Sequence, residues 1–207
     1  MATSTDGATW TTVTQSFISS INAIAYGNDI FVAGGSNVSG KMATSTDGAT
    51  WTAVTQIFGS SINAIAYGNG KFVAVGEHGI MATSADGTTW TAVTNSTFGT
   101  SDINAIAYGN GKFVAGDRRY GKMATSMDGI AWTAVADSKI GIHAIAYGNG
   151  KFVVGGSDGR IAYSTDGATW TAVSNSTCIR AINAIAYGNG KFVAGCDHGE
   201  MAYSTGY

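Results

Sequence analysis

The chain has 207 residues, 30 of them glycine and none proline, with a formal net charge of −2. Only 12% of residues are charged, about half the usual share, so Ser, Thr, Asn and Gly must cover the surface. This balance excludes an electrostatic case for nucleic acid or an anionic membrane as partner, the longest basic run being Arg118-Arg119. No stretch approaches the roughly 20 apolar residues that span a bilayer, and no basic-then-apolar leader is visible, so a soluble chain without membrane insertion is expected.

Met1 to Ser4 reads as a strand, Thr5 to Thr9 as a turn around Asp6-Gly7, and Trp10 to Val13 as a second strand. After a polar loop come the alternating residues Ile21 to Tyr26, an Asn28-Asp29 turn, and a further strand from Phe31 to Gly34. The same order then returns. Its clearest part, Ile62-Asn63-Ala64-Ile65-Ala66-Tyr67-Gly68-Asn69-Gly70-Lys71-Phe72-Val73-Ala74, occurs five times, with tyrosines at Tyr26, Tyr67, Tyr108, Tyr147 and Tyr187. Asn-Gly between two such runs predicts a hairpin with a type I′ turn, because both residues accept positive φ.

Each repeat thus offers an inner strand (Ile to Tyr), a second (Phe to Gly), a third (Met to Ser) and an outer (Trp to Val). Repeats begin near residues 1, 42, 81, 123 and 161, with a partial sixth copy at 201–207. Both faces of such a meander carry small or apolar groups, so each sheet needs a neighbour on either side. Trp10, Trp51, Trp90, Trp132 and Trp170 can bury their rings only between neighbours. Radial repetition of four-stranded sheets is the β-propeller solution. The expectation is an all-β, single five-bladed propeller over 1–207 and a monomer.

Strand counting predicts how the ring closes. There are five inner, five second and five outer strands but six third strands, because Met201 to Ser204 starts another copy. The last blade lacks an outer strand, and Trp10 to Val13 is the spare one. Closure is expected through the N-terminus, with Met201 to Ser204 favoured over Met1 to Ser4 for the third position.

The motif Ser-x-Asp-Gly-x-x-Trp recurs at Ser4/Asp6/Gly7/Trp10, Ser45/Asp47/Gly48/Trp51, Ser84/Asp86/Gly87/Trp90, Ser126/Asp128/Gly129/Trp132 and Ser164/Asp166/Gly167/Trp170. It resembles the Asp-box, or BNR repeat, of sialidase-type propellers, sortilin-like receptors and photosystem assembly factors. The flanking Ala-Tyr-Gly-Asn-Gly-Lys-Phe-Val-Ala is similar to repeats of large bacterial surface proteins. The resemblance covers the whole chain, with one departure: the usual box has one more residue between Asp and Trp. It implies a structural turn between third and outer strands. It also invites a sialidase-like glycoside hydrolase, whose arginine clamp and Glu-activated Tyr find no counterpart on the inner strands.

The five box carboxylates are read as turn residues bonding their own backbone rather than as metal ligands or acids. Cys178 and Cys196 are read as small buried residues rather than as zinc ligands with Asp197 and His198. His143 replaces the Asn found at Asn22, Asn63, Asn104 and Asn183, each expected to bond the neighbouring strand's backbone. Asn37, Asn95 and Asn175 match the glycosylation tripeptide, a match ascribed to chance in so polar a chain. No cofactor, metal or catalytic residue is expected.

Loop lengths separate two faces. Third-strand start to Trp is nine residues and Tyr to Phe is five in every repeat, whereas Trp to Tyr runs 16, 16, 18, 15, 17 and Phe to the next third strand 11, 9, 10, 9, 9. Alternate connections of a meander emerge at the same end, so one face is invariant and the other variable. The variable face carries the candidate binding residues: Glu77, His78, Arg118, Arg119, Tyr120, Asp158, Arg160, Arg180, Asp197 and His198, with Asn37 and Ser157 beside them. A non-catalytic binding module for a glycan or a protein is expected. The alternatives are avidity for a repetitive glycan at the symmetric Tyr/Asn/Lys corners, and a ligand-free, recently amplified or engineered repeat protein.

Overall fold

The computed structural model describes residues 1–13, 20–36, 41–55, 58–136, 138–174 and 176–204. Asn37 and Asn175, named above, lie outside them. The described residues form strands and three short 3-10 turns, and none of their helices is long and apolar enough to cross a membrane.

Residues Ala2–Thr3 (β1) and Thr11–Thr12 (β2) form an N-terminal hairpin. The first blade is Ile21–Gly27 (β3), Ile30–Gly35 (β4), Met42–Ser45 (β5) and Thr52–Val54 (β6); the second is Ile62–Gly68 (β7), Lys71–Gly76 (β8), Met81–Ser84 (β9) and Thr91–Ala92 (β10). The third comprises Ile103–Gly109 (β11), Lys112–Asp117 (β12), Met123–Ser126 (β13) and Thr133–Val135 (β14). The fourth comprises Ile142–Gly148 (β15), Lys151–Gly156 (β16), Ile161–Ser164 (β17) and Thr171–Ala172 (β18). The fifth has three strands, Ile182–Gly188 (β19), Lys191–Cys196 (β20) and Met201–Tyr203 (β21). All pairings are antiparallel, in the inner-second-third-outer order read from the sequence.

The hairpin turns are type I′ as expected: φ is 48° at Asn69 and 71° at Gly70, and 47° and 58° at Asn28 and Asp29. Every inner strand has a register shift at its second residue, as between Ile62 and Ala64. That bulge releases the Asn side chain toward the next blade. Asn22 donates Nδ2–H to the Ile62 carbonyl at 3.0 Å, and Asn63 does the same to Ile103 at 3.1 Å.

The core lies in the seams between blades. Trp90 packs with Val32 and Met42 of the first blade, and Trp132 with Val73 and Met81 of the second. A Cβ added to Gly27, Gly68, Gly109 or Gly148 would land in the ring of Tyr67, Tyr108, Tyr147 or Tyr187 on the following blade. The tyrosine seam therefore requires glycine for room rather than for φ.

Closure differs from the expectation. Met201–Tyr203 fills the third position of the fifth blade, as favoured, but β2 pairs with β1 and not with β21. The reason is locality: a short box turn joins β1 to β2, and Met1 and Val13 pack on Ala33, Ala43 and Trp51 of the first blade. Thr3 stands over Gly48 as Thr44 stands over Gly87, so the hairpin takes the place of a preceding blade's outer half. Among the described residues the arc stays open between β19 and β3: a Cβ added at Gly188 or Gly195 would meet nothing within 4 Å, and Ile24 and Tyr26 are 55% and 56% exposed.

Candidate functional site

The invariant turns are stitched to each other. In the box at Asp47, the Ser45 hydroxyl donates to Oδ1 at 2.9 Å, and Oδ1 accepts the backbone N–H groups of Ala49 (2.8 Å) and Thr50 (2.7 Å). Trp51 Nε1–H donates to the Gly48 carbonyl at 3.0 Å. The other boxes repeat this pattern. Trp170 is the exception, its indole N–H being buried without a hydrogen-bond partner among the described residues. These donors hold the carboxyls low: Asp6 is lowered to about 2, chiefly by the N–H of Thr9, then of Ala8, then by Ser4. Asp47, Asp86, Asp128 and Asp166 are lowered too, with backbone N–H bonds the largest cause in each. The five carboxylates are spent on turn geometry.

The Gly-Asn-Gly corners are engaged as well. Asn28 and Asn69 donate Nδ2–H to the carbonyls of Ala85 and Met127, at 3.4 and 3.2 Å, in the next blade's box. Lys71 and Lys112 reach the carbonyls of Asp128 and Asp166 at 3.4 and 2.7 Å. Both invariant turns of the meander therefore lie on one face, clasping blade to blade.

The opposite ends of the strands carry the irregular loops. Glu77–Gly79, Ser157–Gly159 and Asp197–Gly199 are single 3-10 turns whose middle residues, His78, Asp158 and His198, have φ of 56°, 58° and 62°. In the third blade Asp117 instead organises the loop, its Oδ1 accepting the N–H of Tyr120 (3.0 Å) and Lys122 (2.9 Å).

These loops surround a polar depression of about 970 Å³. Of the expected residues it gathers Glu77, Arg118, Arg119, Asp158, Arg180 and Asp197. Asn22, Asn63, Asn104, Arg118, His143 and Asn183 line a smaller opening of about 230 Å³, so the depression leads to the ring of inner-strand amides. Four expected residues do not line it. His78 is held by Ser60 Oγ at 2.9 Å from Nδ1 and by its N–H to Asp102 at 2.8 Å. Arg160 donates to the Lys139 carbonyl at 3.2 Å. Tyr120 is exposed, with Arg119 5.7 Å over its ring. His198 is outside the lining.

The depression also includes Asp102, Ser157 and His143. Asp102 belongs to the longest Trp-to-Tyr connection, of 18 residues, which was the available signal. A hydrogen-bonded chain crosses the mouth. Ser157 Oγ stands 3.4 Å from His143 Nε2, His143 Nδ1 stands 3.4 Å from Asn183 Oδ1, and Asn183 Nδ2 donates to Asp197 at 2.6 Å. With the proton on Nδ1, every link has a donor. Burial lowers the His143 pKa and the Arg118 charge adds to this, against the Asn183 bond and Asp197. His143 is thus neutral at pH 7.

Cys178 and Cys196 are not separate buried thiols. They form a disulfide with a Cα–Cα distance of 6.3 Å. The β19–β20 hairpin folds the chain back, so Cys196 at the end of β20 meets Cys178 ahead of β19.

A family model described as "DUF6242 beta propeller domain" matches residues 15–139. No curated protein matches the sequence. Among solved structures, virginiamycin B lyase from Staphylococcus aureus aligns with a TM-score of 0.78 at 13% identity, covering 95% of this chain and 70% of that one. YCF48 bound to D1 peptide aligns at 0.70 and 17%, covering 90% and 65%. A chain of a nidogen/laminin complex aligns at 0.66 and 13%, covering 86% and 72%. At these identities the likeness is one of fold.

Proposed function

The chain belongs to the DUF6242 beta propeller domain family, and from that premise we propose that it is a non-catalytic binding module whose ligand seats in the variable-face depression. The observation that carries this reading is the convergence of six expected residues, from loops on four blades, around one opening of about 970 Å³. Loops of free length on a rigid scaffold are where recognition is usually placed. The repeated turns are inferred to be shortened Asp-boxes with a structural role. Their Asn and Lys corners are engaged between blades, which disfavours avidity on the symmetric face.

A protein segment is the leading ligand class. Two structures of similar fold, YCF48 bound to D1 peptide and a chain of a nidogen/laminin complex, were solved with partners bound. A glycan is the second reading, favoured by exposed Tyr120 beside Arg119, a flat ring with adjacent donors. Screening the full-length chain against a displayed peptide library and a glycan array tests both. The reading requires a ligand whose binding weakens at least tenfold in Arg118→Ala/Arg119→Ala/Arg180→Ala and survives Lys71→Ala/Lys112→Ala. The reverse pattern would overturn it.

A further inference from the structure

Eight residues after Trp90, Trp132 and Trp170 stand Phe98, Ile140 and Cys178. Phe98 and Ile140 are buried, and the hydroxyl two residues earlier, of Ser96 or Ser138, donates to the Gly79 or Gly121 carbonyl of the blade before. An apolar plug and a hydroxyl hook thus seat each connection on the preceding blade's loop. The connection into the fifth blade keeps the hook, Ser176 donating to the Gly159 carbonyl. Its plug is only a cysteine, a much smaller side chain.

The partner cysteine is a second departure at the same contact. Cys196 pairs with Ile182, where Gly35, Gly76 and Gly156 pair with Ile21, Ile62 and Ile142. A Cβ at those glycines would meet the carbonyls of Ser20, Ser61 and Gly141. The fifth blade has replaced bulk on one side and glycine on the other with the chain's only two cysteines, and joined them. Since β19 and β20 are already paired from Ile182–Cys196 to Gly188–Lys191, the bond adds a tether on the connection ahead of β19.

Both cysteines adjoin the depression. Ile179, Arg180 and Ala181 follow Cys178, Asp197 follows Cys196, and all four line it. Ile179 is 73% exposed and stands where two other connections have Gly99 and Gly141. The Asp197 N–H donates to the Ala181 carbonyl at 2.9 Å. Asp197 in turn accepts from Asn183, the neighbour of His143. A change at the bond therefore reaches the charged wall and the polar chain across the mouth.

We propose that Cys178–Cys196 is a redox latch on the depression: oxidised, it holds Arg180 and Asp197 in the mouth, and reduced, it releases that wall and weakens ligand binding. The effect on binding rests on the reading of the depression as a ligand site; the release of the wall does not. The reductant is a dithiol. Its first thiolate forms a mixed disulfide with one cysteine and expels the other as thiolate; its second thiolate closes the dithiol's own disulfide and expels the first cysteine. Two electrons pass to the cysteine pair, and the two thiol protons of the dithiol end on Cys178 and Cys196.

Nuclear magnetic resonance on the full-length, ligand-free chain, oxidised and then treated with dithiothreitol without denaturant, tests this. The expected result is a shift of the amide signals of residues 178–183 and 196–199, with Ile179 and Arg180 order parameters falling from about 0.85 to below about 0.6. The ring signals of His143 and His198 should shift, and that of His78, on the second blade, should not. Cys178→Ser/Cys196→Ser should reproduce the reduced spectrum and ignore the dithiol. A bond that resists the dithiol, or signals of Ile179, Arg180 and His143 that stay in place on its reduction, overturns the proposal. Shifts spread over every blade also overturn it, making the bond a staple of the whole fold. With no ligand in the experiment, either failure leaves the binding reading standing, and failed ligand screens leave the latch standing.

Discussion

The Tyr108 ring lies directly over the Cα of Gly68, where a Cβ would overlap it. The same contact joins Tyr67 to Gly27, Tyr147 to Gly109 and Tyr187 to Gly148, so one residue pair sets the spacing of four seams. At Gly188, at the open end, an added Cβ would meet nothing among the described residues within 4 Å. Gly68→Ala should therefore cost on the order of 1–3 kcal/mol as an overpacked contact. Gly188→Ala should stay within about 0.5 kcal/mol. Thermal melts of the two variants check this, and equal losses would show that Tyr26 closes onto Gly188.

Much of this was legible in the sequence. Asn-Gly and Asp-Gly fixed the turns through backbone conformation, and the 3.6-free, alternating pattern of the inner strands fixed the meander. Closure was less legible, because Met1 to Ser4 and Met201 to Ser204 are near-identical strands and pairing between them is decided by what each packs against. Met1 and Val13 pack on the first blade. The mouth was legible as a set of loops but not residue by residue: His78 turned aside to Ser60 and Asp102, and Arg160 to Lys139. Loop length marks where variation is tolerated, not which side chains face the axis.

Acid should unfold the protein through its boxes. The folded pKa of each box Asp lies below the usual 3.8, near 2 for Asp6. The associated stability is present above the unfolded value and lost as pH falls through the folded one. Melting temperatures should hold down to about pH 4 and then drop steeply. Asp47→Asn should melt lower at pH 7 but with a shallower acid slope.

His143 gives a second, milder pH effect with the same sign. Its folded pKa lies below the model-compound value of 6.5, so the unfolded chain binds the proton more readily. Stability is then full above about pH 6.5 and declines as pH falls toward the folded value. His143→Asn, which restores the residue of the other repeats, should remove this part of the slope between pH 7 and 5. An unchanged slope would place the titration elsewhere.

Reduction should loosen the fifth blade. Cys178 and Cys196 are 18 residues apart, and a cross-link of that span stabilises by about 3 kcal/mol in the chain-entropy account. Denaturant midpoints should fall with dithiothreitol and not change with it in Cys178→Ala/Cys196→Ala.

Hydrogen exchange measured with a ligand bound, one selected from the peptide or glycan screen, bears most directly on where recognition occurs. Protection should appear in residues 77–79, 117–122, 157–160 and 197–200, around the depression. Protection confined to the turns at 27–30, 68–71, 109–112 and 148–151 would put the ligand on the symmetric face and contradict the account.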